Sequence, residues 1–316
     1  MTKVSIVIPV HNEKAVIAET IATLEQVANS RPETFEYVVV DDGSTDSTWD
    51  VISQFSNTNN QLRAISFSRN FGKEAGIAAG LKEASGDVAI IMDGDMQHPP
   101  EVVTELLDTH QNTGADIVHA VKEGRNNESV KTSLFVKIFY RVHRFFTGSS
   151  LAGASDFKLI TRPVIDTYNT LGEQALFFRG IIPTLGFSQE QISFTVTKRE
   201  GGASKWNSVS RAKLGLRAIL AFSVLPLQLV TILGVLFLIS SLVLGVQTLF
   251  VWWNGDALDG FTTVILLLLI IGAVIMISLG LIGQYIAFIY EEVKGRPRYI
   301  VRERLVKNRS HENTLS

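Results

Sequence analysis

Apolar positions divide the chain into two regimes. Up to about residue 205 they come in short runs broken by polar stretches, and beyond residue 217 they become almost continuous. In the first regime residues 4–10 form a β-branched run, residues 13–28 carry a helical pattern, and residues 36–40 and 88–92 form further apolar runs. Runs of this kind predict strands alternating with helices. The alternation implies an α/β fold with a mostly parallel sheet and helices on both faces, in which ligands bind beyond the carboxyl ends of the strands. Polar clusters stand at three of those ends: Pro9, His11, Asn12 and Glu13; Asp41, Asp42, Gly43 and Ser44; and Asp93, Gly94, Asp95, Met96 and Gln97.

In the second regime 38 residues without a formal charge separate Arg217 from Asp256, and another 31 separate Asp259 from Glu291. Each stretch exceeds the roughly 20 apolar residues that cross a bilayer core, so two transmembrane helices are expected at residues 225–251 and 261–289. Arg211, Lys213 and Arg217 flank one outer end, and Lys294, Arg296, Arg298, Arg302 and Arg304 the other. The connector carries Trp252, Trp253 and Asp256, so the positive-inside rule places both termini in the cytoplasm. Within the spans the strongly polar side chains are Gln228, Gln247 and Gln284. Without intramembrane charge, a channel or proton-coupled transporter is disfavoured. Residues 131–146 and 206–220 mix basic with aromatic and aliphatic positions, which suits helices lying in the headgroup region.

The expected organisation is a ligand-binding domain at 1–205 with an interfacial helix near 131–146, a juxtamembrane helix at 206–222, two spans within 223–290, and a cytoplasmic tail at 291–316. The formal net charge of -2 offers no footprint for nucleic acid. The sequence holds no cysteine, which removes disulfides, thiolate metal sites and cysteine nucleophiles; any metal must sit on oxygen or imidazole. Residues 1–9 lack the length and cleavage site of a signal peptide, so the first domain is expected in the cytoplasm.

Asp93, Asp95 and Gln97 put two carboxylates and an amide oxygen on one short loop after a strand, a donor set suited to a hard divalent cation such as Mg²⁺ or Mn²⁺. Such a cation neutralises a diphosphate leaving group. His98 precedes Pro99 and Pro100 and reads as a turn residue. In the run Asp41 to Asp46, Gly43 suits a tight turn with positive φ and Ser, Thr or Asp a helix cap, but two successive acids at a strand end also suit a ribose hydroxyl or a base edge. The first strand is followed by Pro9 to Glu13 and not by a glycine-rich fingerprint, which disfavours a dinucleotide site. Gly72 and Lys73 fail as a P-loop, because Phe67 stands where glycine is required and Glu74 where Ser or Thr is needed.

Five motifs in order then match a family. Ser5 to Glu13, Asp41 to Ser44, Ser68 to Gly72, Asp93 to Pro100 and Arg199 to Trp206 resemble the family 2 inverting glycosyltransferases, specifically the polyprenyl-phosphate branch that includes bactoprenol glucosyltransferases and dolichol-phosphate mannose synthase. The resemblance covers nearly the whole chain. It implies a GT-A type, Rossmann-like catalytic domain followed by two transmembrane helices in a bacterial inner membrane. It also implies a single sugar, glucose from UDP-glucose by first choice, moved from a nucleotide diphosphate sugar to undecaprenyl or another polyprenyl phosphate.

By the same resemblance Pro9, Asn12, Glu13, Asp41, Asp42 and Asp93 line the nucleotide-sugar pocket. Asp93, Asp95 and Gln97 hold the metal, and Asp95 and Asp156 are the catalytic carboxylates, Asp156 as base or sugar ligand. Arg199, Ser204 and Lys205 contact phosphates. Arg125 and Lys131 are placed to hold the acceptor phosphate at headgroup level, with attraction to anionic lipid the equal alternative. An acceptor phosphate is already largely deprotonated at neutral pH, so it needs no strong general base. A processive polysaccharide synthase of the same superfamily and a noncatalytic membrane scaffold remain the alternatives. The absence of a Gln-x-x-Arg-Trp string disfavours the first, and the intact acidic and basic motifs disfavour the second. A homo-oligomer is left open.

Overall fold

A computed structural model describes residues 2–94, 99, 101–122, 154–172, 177–194, 225–254 and 260–305. The chain separates into two compact units, residues 1–205 together with 296–316, and residues 206–295. In the first unit the described elements run β1 (Lys3–Val10), α1 (Ile17–Asn29), β2 (Thr34–Asp41), α2 (Thr48–Thr58), β3 (Leu62–Phe67), α3 (Lys73–Glu83), β4 (Val88–Ile91) and α4 (Glu101–Thr113). They continue with β5 (Ile117–Lys122), β6 (Ala154–Thr161), α5 (Arg162–Thr170), the single turn α6 (Phe178–Ile181) and β7 (Gln189–Phe194).

These strands and a last one, β8 (Val301–Leu305), form one sheet in the order β7-β5-β6-β4-β1-β2-β3-β8. β1 runs parallel to β2 and β4, β2 to β3, and β5 to β7, whereas β6 is antiparallel to β4 and β5 and β8 to β3. The sheet is therefore mixed with a parallel majority, as βαβ crossovers through α1, α2 and α3 require. Alternation sorts the side chains between two cores. Val4, Ile6, Ile8 and Val10 of β1 join Ile17, Ile21 and Leu24 of α1 on one face, while Val7 of β1 joins Ile77 and Leu81 of α3 on the other. Burial on both faces explains why the central strands read as continuous apolar runs.

The helix expected from residue 13 begins at Ile17. Asn12 adopts φ +57°, and the Glu13 carbonyl first closes a separate turn by accepting the Val16 and Ile17 N–H groups. The segment assigned to a tail contributes a strand. Beyond Gly295 the chain reaches the open edge of β3, where Tyr299 stacks on Phe67 at 4.8 Å, Trp49 donates to Glu303 at 2.8 Å and Arg304 pairs with Glu83 at 2.9 Å.

The second unit contains α7 (Leu225–Trp253) and α8 (Phe261–Val293). At 1.5 Å per residue they are about 44 and about 50 Å long. Two spans were expected, and among the described residues one helix meets the length and apolarity needed to cross a membrane, through Ile270–Ala287. The apolar stretch of α7 is the shorter Gly234–Gln247. Large apolar side chains such as Leu268, Met276, Ile277 and Ile286 are exposed on α8.

Candidate active site

The ends of β1 and β2 are tied into one frame. Asn12 donates its backbone N–H to Ser44 Oγ at 2.9 Å, and its side-chain oxygen accepts the Thr45 N–H at 2.8 Å. The Glu13 N–H reaches Thr48 Oγ1 at 3.0 Å, and Pro9 is buried in β1. Asp41 is fully buried and accepts bonds from Ser66 Oγ at 2.7 Å and the Ser44 N–H at 3.1 Å. Asp42 accepts the Phe71 and Gly72 N–H groups at 2.6 and 2.9 Å. Burial pushes the Asp42 pKa upward against the pull of those two donors. Both acids, expected to address a nucleotide, thus hold the loops around them. Gly43 lies between with φ +62°, and a Cβ there would fall 2.3 Å from the Arg69 carbonyl carbon.

A charged cluster stands beside this frame. Lys73, the first residue of α3, places Nζ 2.5 Å from Asp93 Oδ1 and 2.7 Å from Asp156 Oδ2. Arg179 of α6 grips the same carboxylate with Nε at 3.1 Å from Oδ1 and Nη2 at 2.9 Å from Oδ2. The Asp156 side chain is 7% exposed, whereas those of Lys73 and Arg179 are 38% and 36% exposed, so the anion is the buried member and the cations face outward. Burial disfavours charge on Asp156, but Lys73 and Arg179 outweigh it and hold the carboxyl well below the usual carboxylate range. Lys73 is in turn raised by Asp93 and Asp156 against its own burial. Glu74, next along α3, accepts the Phe178 N–H at 2.8 Å. Its burial pushes it up to about 7.

The structure therefore brings Asp93 and Asp156 together through Lys73 and sets Pro9, Asn12, Glu13, Asp41 and Asp42 at the neighbouring strand ends. Asp95, Gln97, His98, Arg125, Lys131, Arg199, Ser204 and Lys205 lie outside the described residues. Among the described residues no group of three or more His, Asp or Glu side chains is arranged to hold a metal. Sequence reasoning missed Lys73, Glu74 and Arg179. Lys73 drew attention only as a failed P-loop, and nothing local marks Arg179, whose partner lies 23 positions away.

The chain also matches a family. The model of glycosyl transferase family 2 matches residues 5–168, from β1 into α5. The chain belongs to this family. An uncharacterized glycosyltransferase of Synechocystis sp. is 35% identical over 306 residues, covering 95% of this chain and 94% of that one. An SfII prophage-derived bactoprenol glucosyl transferase of Shigella flexneri is 33% identical, covering 95% and 98%. Among solved structures, mannosyl-3-phosphoglycerate synthase from Rubrobacter xylanophilus shares the fold at a TM-score of 0.52 and 17% identity, over 70% of this chain and 73% of that one. The glycosyltransferase is thus of GT-A type, with a mostly parallel mixed sheet.

The shifted Glu74 makes stability depend on pH. Its folded pKa of about 7 exceeds the ordinary 4.5, so on raising the pH the unfolded chain loses this proton first and stability falls between those values, then levels. Glu74→Gln keeps an acceptor for the Phe178 N–H and removes the titration. The fall specific to Glu74 is expected to vanish in the variant, measured as the difference in denaturation midpoint between the two proteins from about pH 5 to about pH 8.

Proposed function

We propose that this glycosyltransferase moves a single glucose from UDP-glucose to a polyprenyl phosphate, undecaprenyl phosphate, at the cytoplasmic face of a bacterial inner membrane. The observation that carries the reading is the 33% identity to a bactoprenol glucosyl transferase over 98% of its length. A relative of that name, matched through the catalytic unit and the apolar helices alike, supports both the reaction and its lipid acceptor. Exposed apolar side chains on α8 suit a lipid surrounding, and the uncharged stretch through α7 suits a second span. Basic residues at both outer ends suit cytoplasmic termini.

The chemistry follows from charge placement. Asp156 is ionised, buried and engaged by two cations, which makes it a poor proton acceptor and a good orienting group for sugar hydroxyls. The acceptor phosphate brings its own nucleophilic oxygen, so alignment and charge stabilisation carry the rate. Lys73 and Arg179 offer outward-facing charge to phosphoryl oxygens, with Arg199, Ser204 and Lys205 the phosphate contacts expected from the motifs. Asp93 fits a cation site on one observation, since its carboxylate already draws the Lys73 ammonium to 2.5 Å. Asp93, Asp95 and Gln97 would hold Mg²⁺ or Mn²⁺, which when bound neutralises the departing diphosphate. Inversion at the anomeric carbon follows from a single displacement.

The test is transfer of radiolabelled sugar from a panel of nucleotide donors in detergent, with and without Mg²⁺ or Mn²⁺, comparing wild type with Asp95→Ala. A metal-dependent, chloroform-soluble product with UDP-glucose that disappears in Asp95→Ala is expected. A preference for another donor would replace the glucose assignment, and metal-independent turnover would remove the cation from the site.

A further inference from the structure

Lys158 occupies the middle of β6, in register with Ile91 of β4 and His119 of β5. It lies two residues beyond Asp156 and so projects from the same face of the strand, into the core that contains Ile160 and Phe178. Its side chain is wholly buried, and Nζ has no hydrogen-bond partner among the described residues. It meets an aromatic face instead, 4.9 Å from the centre of the Phe178 ring. Burial draws the Lys158 pKa down to about 8 against the opposing pull of Asp156. Desolvating an ammonium without acceptors costs more than one ring face returns. A neutral side chain of the same length would be more stable there, so the worth of the charge lies in its effect on neighbours.

Those neighbours belong to the active site. Phe178 gives its backbone N–H to Glu74, packs its ring edge-on against Tyr168 at 5.5 Å, and is followed by Arg179, which grips Asp156. α6 is four residues long, and the Lys158 ammonium on the Phe178 ring is one of the contacts that hold it. The same ammonium stands below Asp156 on one strand face, where it adds positive charge to the buried end of a cluster that shows Lys73 and Arg179 to solvent.

We propose that Lys158 is a positioning residue: its buried ammonium anchors the Phe178 ring and thereby the turn that holds Arg179 on Asp156. The proposal rests on the reading of the Asp156 cluster as the transfer site.

The experiment compares wild type, Lys158→Met and Lys158→Ala in the full-length protein, measuring thermal stability, kcat and KM for the nucleotide-sugar donor. Lys158→Met is expected to melt higher than wild type, while kcat falls at least about tenfold and the donor KM stays within about twofold. In Lys158→Ala, kcat is expected to recover with added propylammonium and not with propanol, which fills the same space without charge. A Met variant with unchanged kcat, a Met variant that melts lower, or equal rescue by propanol would each overturn the proposal. The melting comparison needs no turnover. A wild type that uses another sugar donor or another acceptor would replace the proposed function alone, while Lys158 would still be judged by kcat for that reaction together with whether the Met variant melts higher.

Discussion

Asp156→Asn is expected to reduce sugar transfer by about two to three orders of magnitude, the scale of removing one preorganised charge from a reaction centre. The wild-type carboxylate satisfies Lys73 and Arg179 at 2.7 to 3.1 Å while itself nearly buried. An amide of the same shape accepts through one oxygen and carries no charge, so the two cations lose their common partner and Arg179 loses its two-point grip. The same change withdraws a buried counter-charge from Arg179 and leaves Lys73 paired, among the described residues, with Asp93 alone. Discounted for the one-third exposure of both cations, the stability loss should be about 2 kcal/mol. Steady-state transfer and chemical denaturation of the same preparation check the two halves. A variant that retains near-normal kcat would show that Asp156 orients nothing in the reaction.

Gly43→Ala carries the second large effect, on folding. At φ +62° any side chain costs about 1–2 kcal/mol, and here the new Cβ would also lie 2.3, 2.6 and 2.7 Å from backbone atoms of Arg69. Backbone cannot rotate aside as a side chain can, and the segment after Arg69 is itself held by Asp42 through the Phe71 and Gly72 N–H groups. Overpacking adds about 1–3 kcal/mol, a total near 2–5 kcal/mol. Gly114→Ala provides the control. Its φ of +68° imposes the same conformational cost, but nothing lies within 4 Å of the added Cβ. Melting curves should show Gly43→Ala far below Gly114→Ala, and equal losses would mean that the Arg69 contact yields freely.

What the sequence made legible, and what it hid, follows from the range of each interaction. β1, β2 and β4 announce themselves because burial on both faces demands uninterrupted apolar runs, and Gly43 does so because a turn there needs positive φ. β8 was hidden: at a sheet edge Val301 to Leu305 sets three consecutive charged residues, Arg302, Glu303 and Arg304, between two apolar ends, a pattern indistinguishable from a polar tail until β3 offers its edge. The spacing of Asp41 and Asp42 was visible in the sequence, whereas their bonds with Ser66, Phe71 and Gly72 were not. Asp156 came into view only through family resemblance, Lys73 only as a failed P-loop, and Arg179 not at all, since the cluster unites α3, β6 and α6 across 83 and 23 positions of chain. Periodicity reports the face of an element and says nothing of which distant element will meet it.

In the proposed reaction the acceptor is a lipid phosphate and its own oxygen is the nucleophile. The most direct measurement supplies purified protein in liposomes with UDP-glucose and either undecaprenyl phosphate or undecaprenol, followed by mass spectrometry of the chloroform phase. The account predicts a hexosyl phosphoryl undecaprenol from the phosphate and no product from the alcohol. Sugar attached to undecaprenol itself, or no glycolipid from the phosphate with folded protein and cation present, would contradict it.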